Sequence, residues 1–282
     1  MTARDVRVLT VPFDTGVRDA RMGLGPARLL EAGLLARLER GGHRTTVAAM
    51  NGAAEALVPE PQFAAALWRD LAQAVSAACR EGAFPLVLSG VCYAAVGTVA
   101  GLGTRDLAVV WFDAHGDVNT PETTTTGFLD GMAITLMAGR CWRNLTAGVP
   151  GFTPVPEDRI ALIGARDLDA PERAFLESSP IRHLAPRQVR HRLTGVLDDL
   201  GAQSTGVYLH VDLDVLDPAE ARVNHLPAPG GLRIEELQSA CRMIARRLPV
   251  RALALTAYDP AGDPGGVVCD AAFDVVAAVL GA

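Results

Sequence analysis

The sequence predicts an α/β fold built on a parallel sheet, and three observations carry that expectation. Apolar, β-branched runs alternate with amphipathic stretches along the chain. Several of those runs end on acid-bearing turns rather than on neutral ones. No linker, low-complexity tract or repeat period interrupts the series, so one domain over residues 1–282 is expected. Strands regularly separated by helices imply βαβ units and hence parallel pairing.

The elements read in order as follows. Val6–Pro12 is the first strand, and Ala27–Arg40 the first helix, with Pro26 suited to its opening turn. The helical pattern of Gln62–Glu81 leads into the strand Pro85–Gly90, and Leu107–Asp113 is a third strand, apolar up to its closing aspartate. Arg159–Gly164 is a fourth strand, with helical stretches at Glu172–Leu176 and Ala185–Leu200. Gly206–Asp212, the helix Arg233–Arg247 and the strand Val250–Ala257 complete the set. In parallel α/β sheets the carboxyl ends of strands lie along one edge, where ligands bind. Polar groups far apart in sequence can therefore meet there.

Composition narrows the function classes. The chain has 282 residues, of which 49% are hydrophobic, ample for a large core. No apolar run approaches the roughly 18 residues of a membrane span, and the start MTARDVRVLTVPFD lacks a signal pattern. A net charge of −6 without a basic cluster argues against a nucleic-acid surface. Five scattered cysteines with no CxxC pair suggest a reduced, cytoplasmic protein.

Chemistry concentrates at two strand ends. In LAVVWFDAHGDVNTPE, Asp113, His115 and Asp117 fall at alternate positions, and in extended chain such residues point to one side. In HVDLDVLDP, Asp212 and Asp214 repeat the i, i+2 spacing. Four carboxylates and an imidazole at one edge would repel strongly unless neutralised. Divalent cations resolve that conflict, and oxygen-rich ligation with one imidazole suits Mn²⁺ better than structural Zn²⁺. The plainer alternative is a set of solvated turn residues.

The flanking residues resemble the arginase (ureohydrolase) family. DAHGDVNTPETTTTG is similar to its DAHxDxNTPxTxxSG segment and HVDLDVLDP to its SFDVDxLDP. GLGPARLLEAGLLARLERGGH, RDLDAPE and PGGL extend the similarity over nearly the whole chain. The resemblance implies a three-layer αβα sandwich around a mostly parallel sheet, carrying two Mn²⁺ per chain. It implies that Asp113 and Asp212 bridge the ions, that Asp117 completes metal A, and that His115 and Asp214 complete metal B. Water activated between the cations would be the nucleophile, oriented by Asp117. Asn119, Thr124 and Thr126 match the family's α-carboxylate binders, and Asp169 and Glu172 its α-amine binders, so an α-amino-acid substrate is implied. The chain also ends at Ala282 without the extension by which some members trimerise, favouring a monomer over a homotrimer.

Three departures point to a particular substrate. The family's GGDHS is SGVCY here, putting Cys92 at a metal-A imidazole position, where a thiolate can still ligate. Its GxxHG is GFLDG, so Asp130 replaces the proton-shuttle histidine as the candidate catalytic acid. Its ExNP or ExSP is AYDP, so Ala257 replaces the carboxylate that faces the guanidinium. A less basic substrate with its own ionisable hydroxyl tolerates these losses best. Nω-Hydroxy-L-arginine fits, and the departures resemble the branch of the family that cleaves it to L-ornithine and hydroxyurea in D-cycloserine (antibiotic) biosynthesis. The alternatives are a ureohydrolase acting on L-arginine or a related guanidine, and a non-catalytic homologue. His225 is a further candidate acid, though an exposed loop histidine is the simpler reading. Cys79, Cys141, Cys241 and Cys269 read as packing residues.

Overall fold

The structure, a computed structural model, describes residues 3–51 and 58–281. Its centre is an eight-stranded sheet: β1 Asp5–Val11, β2 Arg44–Ala49, β3 Phe84–Ser89, β4 Leu107–Phe112, β5 Ile160–Ile163, β6 Arg182–Leu184, β7 Gly206–Asp212 and β8 Val250–Thr256. The strand order is β2-β1-β3-β8-β7-β4-β5-β6, and every pair is parallel.

The period-2 geometry of the strands builds the layers. Ala108, Val110 and Phe112 of β4 join one apolar cluster, while Leu107, Val109 and Trp111 join the other. The first cluster is covered by helices Gly25–Glu31, Leu34–Arg40, Pro186–Gln203, Ile234–Arg247 and Val267–Leu280. The second is covered by Glu60–Arg80, Ala95–Leu102 and Ala133–Met137. This is the three-layer αβα sandwich expected. Strands buried on both faces explain the near-continuous apolar runs. The Glu60–Arg80 helix shows how the faces pair: Phe63, Leu67, Trp68, Leu71 and Val75 recur every three or four residues and are buried. Each such side chain contributes about 1.5–3 kcal/mol, and Trp68 also donates its indole N–H to the Tyr93 carbonyl at 2.8 Å.

The six expected strands are present within a residue or two, and two more in this sheet were not foreseen, nor was a separate antiparallel pair, Phe13–Asp14 with Val17–Arg18. β2 (RTTVAA) and β6 (RHL) lie at the two edges of the sheet, where partial exposure removes the apolar run that marks an interior strand. The single helix expected over Ala27–Arg40 is two, divided at Gly33, whose φ of 98° no right-handed helix accommodates. Helices Ala95–Leu102 and Val267–Leu280 were also missed. Both are so apolar that the 3.6-residue period disappears into a uniform run.

The order of the sheet places the site. β3, β8, β7 and β4 are consecutive at its centre, and Thr256 is in register with both Ser89 and Asp212. Residues just beyond these four carboxyl ends therefore face one another.

Just past β3, Gly90 lets a neighbouring segment close in: a Cβ there would stand 2.2 Å from the Phe13 carbonyl oxygen and 2.7 Å from the Gly23 nitrogen. Both are backbone atoms, so relief requires moving the chain. Gly90→Ala is expected to cost about 1–3 kcal/mol by overpacking, read as a lowered midpoint in thermal or denaturant unfolding. An unchanged midpoint would mean that the Phe13–Gly25 segment yields without cost.

Candidate metal centre

The acids converge by a route other than the extended chain. β4 stops at Phe112, and Asp113 Oδ1 then accepts the amide of His115 at 2.7 Å. Asp212 Oδ1 likewise accepts the amide of Asp214 at 2.9 Å, opening a single 3₁₀ turn, Leu213–Val215. The i, i+2 spacing is thus that of side chains folding back on the backbone two residues on, which corrects the alternation argument while keeping its result. Asp117 takes a positive φ of 53°, uncommon for a residue with a Cβ, as its chain turns along the cleft.

Two overlapping donor sets result. Ligand atoms of Cys92, Asp113 and Asp212 lie within 4.8 Å of one another, and so do those of Asp113, His115 and Asp214. Asp113 belongs to both, as a bridging carboxylate would. Asp117 Oδ2 is buried and has no hydrogen-bond partner. Burial, then neighbouring carboxylates, push Asp117 and Asp212 well above the ordinary carboxyl range. Burial works against charge on His115, yet Asp214 and Asp113 outweigh it and raise the imidazole to about 10. Its Nδ1 stands 3.3 Å from Asp113 and 3.4 Å from Asp214. An orphaned carboxylate oxygen, a shared aspartate and an imidazole nitrogen set between two carboxylates fit divalent metals.

Surrounding residues fix these donors. Trp111 Nε1–H donates to Asp113 Oδ2 at 3.0 Å, and Asn224 donates through Nδ2 to Asp214 Oδ2 and the Ala257 carbonyl, both at 3.1 Å. Arg166 donates to the carbonyls of Asp214, Val215, Leu216 and Ala228, tying together the loop that carries Asp214. Asp130 Oδ1 accepts the amides of Cys92 at 2.7 Å and Tyr93 at 3.0 Å. It clasps the turn bearing Cys92, a use that its place in the sequence did not suggest. Asn224 and Arg166 were missed as well: one lies in a loop without a motif, and the other works through backbone carbonyls.

All twelve expected site residues line one cleft of about 340 Å³, together with Met22, Phe128, Asp167, Asn224, Leu226 and Ala257 among others. At the amino-acid end, Asn119 Nδ2 donates to Asp169 Oδ2 at 3.2 Å. Glu172 accepts the amides of Asp169 at 2.9 Å and Val118 at 3.4 Å, joining the two loops that flank the cleft. Thr124 Oγ1 accepts the Gly127 amide at 3.0 Å, and Thr126 Oγ1 the Phe128 amide at 3.2 Å, so both shape their own loop. His225 is exposed and absent from the lining. The other four cysteines are free thiols, three buried and Cys79 half-buried.

Comparison with known proteins agrees with this architecture. The family model described as "Arginase family" matches residues 4–281. The arginase of Bacillus subtilis (strain 168) is 31% identical, over 86% of each chain. That of Bacillus caldovelox is 29% identical, over 99% of this chain and 98% of its own. The solved structure of the Bacillus caldovelox arginase superposes with a TM-score of 0.89 at 30% identity, covering 99% of both chains.

Carboxyls raised by burial stabilise a fold at low pH and lose that contribution as pH rises through their folded values. Above about pH 6.5 His210, which burial lowers to about 3, is neutral in both states and drops out. His115, raised to about 10, and each carboxyl kept protonated lose stabilisation as pH rises, so chelated protein should lose about 1.4 kcal/mol per pH unit for each such group, or roughly 2–4 °C per kcal/mol. The window is about pH 6.5 to 8.5, above the ordinary imidazole value and below both the ordinary thiol value and the raised value of His115, and added divalent cation should flatten the slope. Thermal melts with and without chelator test this, and equal slopes would contradict it.

Proposed function

This chain belongs to the arginase family, and from that premise we propose that it hydrolyses Nω-hydroxy-L-arginine to L-ornithine and hydroxyurea, in antibiotic (D-cycloserine) biosynthesis. The family supplies the coarse activity, hydrolysis of an amidino C–N bond. The finer reading rests on one contrast within the cleft: its amino-acid end keeps the family pattern while its distal end does not.

Cys92, Asp113 and Asp212 would hold one Mn²⁺, and Asp113, His115 and Asp214 the other, with Asp117 added to the first set and Asp212 to the second as the family resemblance implies. Bound there, the two cations would supply Lewis acidity and lower the pKa of water to the neutral range. Asp117, its Oδ2 otherwise unpartnered, would accept a hydrogen bond from the attacking water and fix its direction. Asn119, Thr124 and Thr126 would take the substrate α-carboxylate, and Asp169 with Glu172 the α-amine.

At the distal end Ala257 offers no carboxylate to a guanidinium, and Met22, Phe128 and Leu226 add apolar wall. Among the described residues lining the cleft, His115 is the one histidine. Losing a charge-assisted partner costs about 1.5–3 kcal/mol, and a departing amine still needs a proton. Asp130 is the nearest candidate acid, since burial holds its carboxyl well above the ordinary range. An N-hydroxyguanidine is less basic and carries its own transferable proton, so it asks less of both positions. A second reading, arginine hydrolysis, is favoured by the arginases matched at about 30% identity. The same proposal takes the enzyme as a single-domain, cytoplasmic monomer, and sedimentation of the purified protein tests the oligomeric part.

Side-by-side assays should give at least ~100-fold preference for Nω-hydroxy-L-arginine in kcat/KM, about 2.7 kcal/mol of differential transition-state stabilisation. Equal turnover of arginine would favour the second reading. Asp169→Ala should cost about 1–3 kcal/mol in kcat/KM, and unchanged kinetics would place the α-amine elsewhere. Asp113→Asn should abolish activity and lower the metal content below two per chain by elemental analysis. A variant retaining two metals would show that Asp113 does not bridge.

A further inference from the structure

Beneath Cys92 runs a buried chain of polar side chains that none of the roles above uses. Tyr208 Oη lies 2.9 Å from His210 Nδ1, and His210 Nε2 lies 3.1 Å from Thr256 Oγ1. Thr256 Oγ1 is 3.3 Å from Cys92 Sγ, which is also 3.0 Å from Asp212 Oδ2. Tyr208 and His210 are fully buried, and the imidazole stacks on Trp111 with centroids 3.4 Å apart and planes 2° from parallel. The ring can neither rotate nor reach water.

Donor counting gives the chain a direction. A thiol has one proton, so Cys92 cannot donate to both Asp212 and Thr256. With a metal bound the thiol proton is gone, so the sulfur can only accept, and Thr256 turns its hydroxyl hydrogen towards it. Thr256 then has only lone pairs for His210, so Nε2 must carry the hydrogen. A neutral imidazole with hydrogen on Nε2 accepts at Nδ1, and the Tyr208 hydroxyl donates there. Every group is satisfied in one arrangement: Tyr208 to His210, His210 to Thr256, Thr256 to Cys92. The family motif SFDVDxLDP has serine where this chain has His210, and a serine hydroxyl on Cβ is too short to link Tyr208 to Thr256. The two departures, Cys92 and His210, thus lie two hydrogen bonds apart.

We propose that His210 is a positioning residue for Cys92, setting through Thr256 a hydroxyl donor on the sulfur that orients it as a metal ligand. The proposal rests on Cys92 ligating a metal. Groups that orient metal ligands are typically worth 10–100-fold in metal affinity. Replacing the ring should loosen the Cys92 site and leave the His115–Asp214 site largely intact.

The test uses cobalt(II), whose bond to thiolate gives a charge-transfer band that carboxylate and imidazole ligands lack. Wild-type protein titrated with Co²⁺ should show the band, and Cys92→Ser should lose it. A wild type without the band overturns Cys92 ligation itself, and His210 positioning with it. Given the band, Thr256→Val and His210→Ser should each shift or weaken it. Each should also raise the dissociation constant of one Co²⁺ about 10–100-fold, with the other within a few-fold of wild type. Nitrogen-15 NMR of the Zn²⁺-loaded protein, which is diamagnetic and has lost the thiol proton, should report hydrogen on His210 Nε2. A band and two dissociation constants unchanged in both variants, or hydrogen on Nδ1, would overturn the positioning role while leaving Cys92 ligation standing. Thermal melts of the variants guard against unfolding. Should His210→Ser not fold, Thr256→Val, nearly isosteric, decides by the same readouts.

Discussion

Negative charge that the chain cannot neutralise by itself is the constraint on which this structure turns. Asp113, Asp117, Asp212 and Asp214 are all buried at the centre of the sheet's carboxyl edge. Burial penalises each charge and each raises the penalty on its neighbours. The four central strands can end there only if the acids take up protons or are met by cations. Much of what surrounds the acids, from the self-capping turns after β4 and β7 to the indole of Trp111 and the amide of Asn224, holds them in a fixed arrangement. A cation then meets donors already in place and loses little to reorganisation.

The cleft has two halves with different histories. Along the amino-acid end, Asn119, Asp169 and Glu172 form a continuous set of hydrogen bonds with the backbone of two loops, and the family pattern survives. At the other end Ala257, Asp130 and Cys92 all depart from it, and they are not independent of one another. The Asn224 amide spans Asp214 and the Ala257 carbonyl, and Asp130 holds the amide of Cys92. Two substitutions that look separate in sequence, at 92 and 130, are joined through the backbone in space, and position 257 is tied through Asn224 to Asp214.

Much of this was legible from sequence. Interior strands betray themselves because burial on both faces leaves a plain apolar run. The acids that follow them stand out because charge is rare at such places. Edge strands and all-apolar helices escaped because each lacks the contrast on which a periodic pattern depends. The residues that line the cleft were picked out by motif, yet the reason they converge was not: a two-residue spacing signifies opposite structures in a strand and in a turn that caps itself. Asn224, Arg166 and the Tyr208–His210–Thr256 chain were invisible, since each acts on partners distant in sequence.

The clasp of Asp130 on the Cys92 turn has a consequence for ancestry. Its carboxylate oxygen satisfies two buried amides at once, and an imidazole, with at most one acceptor nitrogen, cannot do the same. Returning histidine to position 130 alone would strand at least one amide in the interior, a cost of about 1–3 kcal/mol. A lineage that had acquired this clasp would find reversion uphill one residue at a time. The two amides are backbone groups, present whatever side chain stands at 92, so the scaffold itself holds the acid at 130 in place, as well as any advantage in what the cleft now binds.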